Sequence, residues 1–568
     1  MRPTNHPLPR RQVLRAGIVV PTAIGASTFI SRAHAQTSSA GAPSHPFMHG
    51  VASGDPTHNS VILWTRVTPN ADATPGSGVG PAVTVRWEVS TDQTFAVRVA
   101  EGSTTTDVDR DHTVKVDARD LQPQTGYFFR FSIVDASQAR IYSPVGRTAT
   151  TPAPHQHVDR LRFGVVSCSN WEAGYFSAYR HLADRRDLDA VLHLGDYLYE
   201  YRPGKYGAKF GSVREHIPAR DIVTLADYRM RHGQYKTDAD LQSLHQKVPV
   251  IAIWDDHESA NDAWVAGAEN HDPVTQGDWR TRYRNALQAY LEWMPIRPGG
   301  SGDRLYRRLS YGSLLELTMI DLRSYRDEPA VAVTGWRDVD APHRSITGAQ
   351  QFEWFVTGLT TAAAQWKFVG NPVMISPFLI PPLEPATTAA LTQLLGIPSD
   401  GAPLNTDQWD GYAAERARLF SALTTTNTRD VVFLTGDIHM SWANELPLNA
   451  ANYPAAGTVG VEFVVPSVTS KNVDDILQVP PRTVGLAAEA AIQATNNHVR
   501  FVEVDSHGYG VCEVTPDHAQ MDWFFIQDPV NPNSASRHAH SLRTASQSAR
   551  LTPAAPLDPT SHTSRSSA

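Results

Sequence analysis

Cysteine is nearly missing from this chain: Cys168 and Cys512 are the two in 568 residues. That excludes a disulfide scaffold, because folds stapled by sulfur need several bridges. An excess of one charge is missing as well. The 50 lysines and arginines face 58 aspartates and glutamates, for a formal net charge of -8. With a pI near 6.3, no electrostatic case exists for nucleic acid as the main partner. Beyond the first 35 residues no run approaches the roughly 18 apolar residues that cross a bilayer, so no transmembrane segment is expected in the mature chain. What is present is ordinary in bulk, 41% hydrophobic and 19% charged. The length suits two or three domains and at least one large core.

The start of the chain is informative about destination. Pro9-Arg10-Arg11-Gln12-Val13-Leu14-Arg15 precedes a weakly apolar stretch at 16–30 and then Ala33-His34-Ala35, an A-x-A cleavage signal. Paired arginines ahead of such a stretch resemble a twin-arginine export signal; an ordinary secretory signal is the alternative. Residues 1–35 are therefore expected to be a signal peptide. The twin-arginine export machinery becomes an expected partner, and the expected location is periplasmic or extracellular.

Residues 47–150 read as all β. Stretches such as Val83-Thr84-Val85-Arg86-Trp87-Glu88-Val89 alternate apolar and polar side chains, as half-buried strands do. Leu121-Gln122-Pro123-Gln124-Thr125-Gly126-Tyr127 resembles the tyrosine corner of fibronectin type III sandwiches, so an N-terminal fibronectin III/Ig-like all-β domain is expected. Residues 151–157 form the linker. From 160 to 526 strands alternate with helical patterns, which predicts an α/β catalytic domain. Helices are expected at 174–186, 279–293, 349–359 and 408–422, and a loop-rich rim at 201–246. Residues 531–568, rich in Ser, Ala, His, Pro and Arg, read as a disordered tail.

Four short apolar runs in the second domain end in polar side chains that bind metals. Val165-Val166-Ser167 leads to Cys168, and Val191-Leu192-His193-Leu194-Gly195 to Asp196 with Tyr199. Val250-Ile251-Ala252-Ile253-Trp254 leads to Asp255-Asp256-His257-Glu258, and Val431-Val432-Phe433-Leu434-Thr435-Gly436 to Asp437 and His439. A fifth strand, Phe368-Val369-Gly370, ends at Asn371. Strand ends are where α/β sheets place ligands. One metal site assembled from all of them is the expectation.

The order of these blocks resembles the binuclear metallophosphoesterase superfamily, whose blocks run Asp, Gly-Asp-x-x-Asp/Tyr, Gly-Asn-His-Asp/Glu, His and Gly-His-x-His. Here Cys168 stands for the first Asp, Asp256 for the Asn, Asn371 for the isolated His, and Asp437 for the first His of the last block. Those departures, with the export signal and the opening His49-Gly50-Val51-Ala52-Ser53-Gly54-Asp55-Pro56, resemble the alkaline phosphatase D (PhoD-like) family. The resemblance implies a metallophosphoesterase-type β-sandwich core flanked by helices.

If the blocks occupy their usual places, one metal sees Cys168, Asp196, Tyr199 and His439. A thiolate and a phenolate form most readily against a highly charged ion, so Fe3+ is expected, with Zn2+ as the fallback. The second metal sees Asp196, Asp256, Asn371 and Asp437. An all-oxygen set favours Ca2+, then Mg2+ or Mn2+; the family resemblance also implies iron and calcium. Such a pair suits hydrolysis of a small phosphate mono- or diester by a metal-bridging hydroxide. His257 is the candidate general acid, with Glu258 orienting it. Three alternatives stay open: phospholipase D-like activity, a non-catalytic extracellular binding protein, and a Cys168–Cys512 disulfide in place of the thiolate ligand.

Overall fold

The computed structural model describes residues 45–135, 137–300, 302–330, 336–380 and 401–560. The expected signal peptide and its cleavage site lie outside the described residues.

Two large sheets form the body. The first has ten strands, ordered Leu551–Pro553, Ser536–Ala545, His518–Ile526, Gly508–Val514, Leu161–Val166, Ala190–Leu194, Val250–Ile253, Val51–Gly54, Val61–Arg66 and Thr113–Ala118. The second has seven, ordered Arg307–Tyr311, Leu315–Met319, Trp366–Asn371, Val431–Thr435, Thr458–Val464, Ser441–Pro447 and Val499–Glu503. The central strands of both are parallel, and Ala190–Leu194, Val250–Ile253 and Val431–Thr435 are buried along their whole length. They read as unbroken apolar runs because both faces are covered. One core joins the sheets, with Val165, Leu192 and Ile251 of the first packed among Leu317, Phe368 and Leu434 of the second. The helices Ser177–Asp184, Trp279–Trp293, Ala349–Thr361 and Ala413–Thr425 correspond to the four expected ones. The last is preceded by a 3-10 turn at Trp409–Tyr412.

The N-terminal strands do not stand apart. Val51–Gly54 runs parallel to Val250–Ile253, with Gly54 opposite Val250. A side chain at Gly54 would lie 2.1 Å from the Pro295 carbonyl oxygen and 2.4 Å from that of Val250, so only glycine permits the approach. Asp55 then holds Arg307 through two bonds of 2.7 Å. Three strands of the N-terminal module thus extend the catalytic sheet. A separate sheet, built on Arg98–Thr106, Val83–Ser90, Gly126–Val134 and Arg140–Tyr142, packs on them through Val85, Phe129 and Phe131. In the stretch that resembles a tyrosine corner, the Tyr127 hydroxyl accepts the Gln122 N–H at 2.8 Å.

Two expectations are corrected. Residues 201–246 are not all loop, because Leu225–Tyr235 and Ala239–Lys247 are helical. The first buries Arg229, Arg231 and His232, and a polar buried face hides the helical period. Much of the supposed disordered tail is sheet: Ser536–Ala545 pairs with His518–Ile526, and Leu551–Pro553 adds the last strand. Few apolar residues suffice there, because backbone bonds to a buried neighbour hold the strand. His540 also stacks on Phe501 with centroids 4.3 Å apart, and Leu542 fills the core side.

Candidate metal centre

Every block that the sequence marked arrives at one end of the sheet pair. Gly195 turns the chain at φ +103°, and a Cβ there would lie 2.4 Å from the Asp255 Cβ. The turn is tied by the Cys168 N–H to the Gly195 carbonyl at 3.1 Å and the Ser169 N–H to that of Asp196 at 2.9 Å. Cys168, Asp196, Asp437 and His439 have φ of 60°, 56°, 60° and 59°. Side-chain-bearing residues rarely adopt that left-handed conformation, which costs about 1–3 kcal/mol each and clusters at functional sites.

A sulfur of Cys168, a carboxylate oxygen of Asp196 and a ring nitrogen of His439 lie within 4.8 Å of one another. Tyr199 joins them, its hydroxyl donating to Asp196 Oδ2 at 2.7 Å and standing 3.3 Å from His439 Nε2. His439 Nδ1 is 2.8 Å from the Lys471 carbonyl. A carbonyl only accepts, so the ring proton sits on Nδ1 and Nε2 turns its lone pair to the cluster. Burial, then the Asp196 carboxylate, pushes both the Cys168 thiol and the Tyr199 phenol well above their usual ranges. Only a strong cation among them would draw off those protons, which is how a thiolate–phenolate–imidazole site takes a metal.

The second group continues from the same carboxylate. Asp196, Asp256 and His257 offer atoms within 4.8 Å, and so do Asp255, Asp256 and Asp437. Asp256 Oδ2 accepts the Asp262 N–H at 2.6 Å, while its Oδ1 is buried with no hydrogen-bond partner. An unsatisfied buried carboxylate oxygen is costly, and a cation satisfies it. The residues present therefore fit a second metal. Asn371 ends its strand facing Thr435; its amide nitrogen donates to Val373 O and Thr435 Oγ1, and its Oδ1 accepts from Trp409 Nε1 at 3.1 Å. One Oδ1 lone pair stays available for a ligand role. No hydrogen bond joins Asn371 to Asp256 or Asp437 among the described residues.

His257 is buried against this group, and its partner is not the expected one. Nδ1 lies 2.7 Å from Glu200 Oε2, and Glu200 Oε1 accepts from the Asn261 N–H and the Asn270 amide. Glu258 instead accepts the backbone N–H groups of Asp196, Tyr197 and Asp255 at 3.1, 2.6 and 2.9 Å. It ties two strand ends together and does not touch the ring. Burial works to lower the His257 pKa, but Asp256, Asp196 and Glu200 outweigh it and push it up to about 10. Glu200→Gln should therefore cost about 10- to 100-fold in kcat. The loss should be greater for poor alkoxide leaving groups than for nitrophenolate, with metal content unchanged. An equal loss for every leaving group would show that Glu200 only supports the loop.

The family model described as PhoD-like phosphatase matches residues 163–523, and the model for its N-terminal domain matches 32–152. Alkaline phosphatase D of Bacillus subtilis (strain 168) is 35% identical over 509 residues, 87% of this chain and 79% of that protein. This chain belongs to the PhoD-like phosphatase family. A solved structure described as that of PhoD superposes with a TM-score of 0.78 at 33% identity, covering 92% of this chain and 94% of that one. A purple acid phosphatase from yellow lupin (Lupinus luteus) seeds shares the fold at a TM-score of 0.50 and 10% identity, over 87% and 73% of the two chains.

As a PhoD-like phosphatase the chain is a phosphoric ester hydrolase, which sets aside the reading as a non-catalytic binding protein. The disulfide alternative falls on geometry. Both cysteines are free and buried. Cys512 pairs with Phe163, five residues before Cys168, and at strand rise that separates them by roughly 15 Å, far beyond disulfide reach. Three side chains of the centre went unread in the sequence. Glu200 follows Tyr199 directly and carried no motif of its own. Arg323 and Gln408 come from loops after other strands and both donate to Asp437. A lone arginine or glutamine in a loop sends no periodic signal.

Proposed function

We propose that this PhoD-like phosphatase works outside the cytoplasm on small phosphate mono- or diesters, with Fe3+ and Ca2+ as its metals. Cys168, Asp196, Tyr199 and His439 would hold the iron, and Asp196, Asp256, Asn371 and Asp437 the calcium. The single observation that carries the reading is that Asp196 belongs to two donor groups at once, each within 4.8 Å. Bound there, the two cations would neutralise the phosphoryl oxygens and activate the attacking water.

The chain's own residues supply the rest. His257 holds the proton for the departing oxygen, and Glu200 fixes its ring through Nδ1, leaving Nε2 for the substrate. Tyr201 and Tyr206 pack around that ring, with centroids 5.4 and 6.4 Å away, and keep bulk water from it. The phenolate–thiolate donor set supports Fe3+ over Zn2+, and the all-oxygen set supports Ca2+.

Elemental analysis of the purified protein, coupled to a substrate panel, tests the reading. Iron and calcium per chain, with release of phosphate from an aryl monoester or cleavage of a bis-aryl diester, is the expected result. Zinc at both positions would overturn the metal assignment. Activity confined to phosphatidylcholine would favour the phospholipase D-like alternative. Analysis of the mature N-terminus after expression with residues 1–35 intact tests export.

A further inference from the structure

Arg323 lies in the middle of the second donor group. Its side chain is 1% exposed and touches four carboxylates. Nε and Nη2 grip both oxygens of Asp255, the second at 2.9 Å. Nη1 donates to Asp407 Oδ2 at 2.8 Å, and Nη2 also reaches Asp437 Oδ1 at 3.2 Å. Asp256 Oδ2 stands 3.9 Å from Nη1. Arg326 supports the far side, with Nη2 2.8 Å from Asp407 Oδ1. Asp437 is also held by the Gln408 amide, which leaves the donor group tied from two loops.

Four carboxylates buried this closely cannot all stay charged without a cation, and a buried charge left unpaired is strongly destabilising. A guanidinium fork is suited to bind several carboxylates in a fixed plane. Arg323 therefore does for Asp255, Asp256, Asp407 and Asp437 what a divalent ion would do from the other side. It also carries the same sign as that ion at short range, so the two repel. We propose that Arg323 is the resident counter-cation of the second-metal pocket: it holds the pocket's carboxylates in place when no metal is bound and weakens the pocket's attraction for a divalent ion.

Arg323 is thus a positioning residue, and the inference rests on the reading of Asp256 and Asp437 as ligands of the second cation. Its consequence is that metal exchange at this position does not require the pocket to collapse, because the carboxylates always have one positive partner.

The experiment compares full-length wild type, Arg323→Met and Arg323→Lys, each purified with calcium and then stripped with a chelator. Two quantities are read: the melting temperature of the stripped protein and its calcium affinity by calorimetric titration. Arg323→Met should melt about 5 °C or more below stripped wild type and bind calcium roughly tenfold more tightly. Arg323→Lys, which keeps the charge and loses the fork, should fall between the two in both quantities. If stripped Arg323→Met does not stay folded, melting of the calcium-loaded protein against calcium concentration gives the same affinity. Equal melting temperatures with an unchanged or weaker calcium affinity in Arg323→Met would overturn the inference. Wild type that takes up no calcium at the second position would overturn the ligand reading itself, and the inference with it.

Discussion

Replacing Asp196 by Asn should reduce kcat by roughly 10^3-fold or more, because charge neutralisation by a metal pair contributes several kcal/mol to phosphoryl transfer. Asp196 is the one carboxylate common to the group with Cys168 and His439 and the group with Asp256 and His257. An amide keeps the shape but carries no charge and offers a single oxygen, so both cations lose their shared ligand. Metal content should fall together with activity. Stability should move the other way in chelator-treated protein. Asp196 is fully buried beside Asp255, Asp256 and Glu258, and burial first, with those neighbours adding and His257 opposing, pushes its carboxyl well above the usual range. The neutral amide removes that repulsion. A melting temperature no lower than that of stripped wild type, with activity nearly gone, is the expected pair of results. An Asp196→Asn enzyme that retained two metals per chain and normal turnover would end the two-metal reading.

Its buried histidines should weaken this protein in acid. His49, His193, His232, His245 and His498 are all buried. Burial is the main cause that pushes His49 and His193 down to about 3 and His498 to about 4, and it drives His232 and His245 well below the ordinary range. Their folded values lie below the unfolded value near 6.5. Below pH 6.5 the unfolded chain therefore binds protons that the folded chain refuses, and stability falls as pH falls. Each such group contributes about 1.4 kcal/mol per pH unit, and the buried carboxyls that burial pushes upward in the metal-free protein, Asp196, Asp255, Glu258 to about 8 and Asp262 to about 7, take up protons in the folded state and offset part of that slope.

Lys236 acts in the same direction above pH 7, and His257, raised to about 10, acts against it. Burial lowers Lys236 to about 7, with the Tyr197 hydroxyl at 3.0 Å and the Trp64 ring at 4.7 Å as neighbours. Between pH 7 and its unfolded value near 10.4 it should add stability as pH rises. Melting temperature of wild type and His232→Phe, measured from pH 4.5 to 9 in chelator-treated protein so that metal release plays no part, reads the contribution of the buried histidine. His232, whose ring nitrogens both lack partners, provides the control: His232→Phe should remove about one proton from the acid slope. An acid slope identical in wild type and His232→Phe would contradict the burial argument.

The strand tips were legible because their signals are local. Each buried parallel strand is a continuous apolar run, and each ends at a polar block within two or three residues, as with Leu194 before Asp196 and Thr435 before Asp437. Reading those blocks in order identified Cys168, Asp196, Tyr199, Asp256, His257, Asn371, Asp437 and His439 as candidates. The structure brings seven of these eight into the linked donor groups and places Asn371 at the neighbouring strand end.

What the linear order could not convey depends on pairing between distant segments. The partner of His257 proved to be Glu200, 57 residues away, and not the adjacent Glu258, because direction in space and not sequence distance decides which carboxylate meets a ring nitrogen. Ser536–Ala545 is a strand because His518–Ile526 presents an open row of backbone donors and acceptors, a property of the neighbour that its own composition does not carry. The N-terminal strands extend the catalytic sheet because Gly54 lets two backbones touch. Composition and periodicity thus specified the apolar strands of the catalytic domain and which chemistry waits at their ends. Packing alone chose who faces whom, since a hydrogen bond or an ion pair is set by distances of about 3 Å that only the folded chain creates.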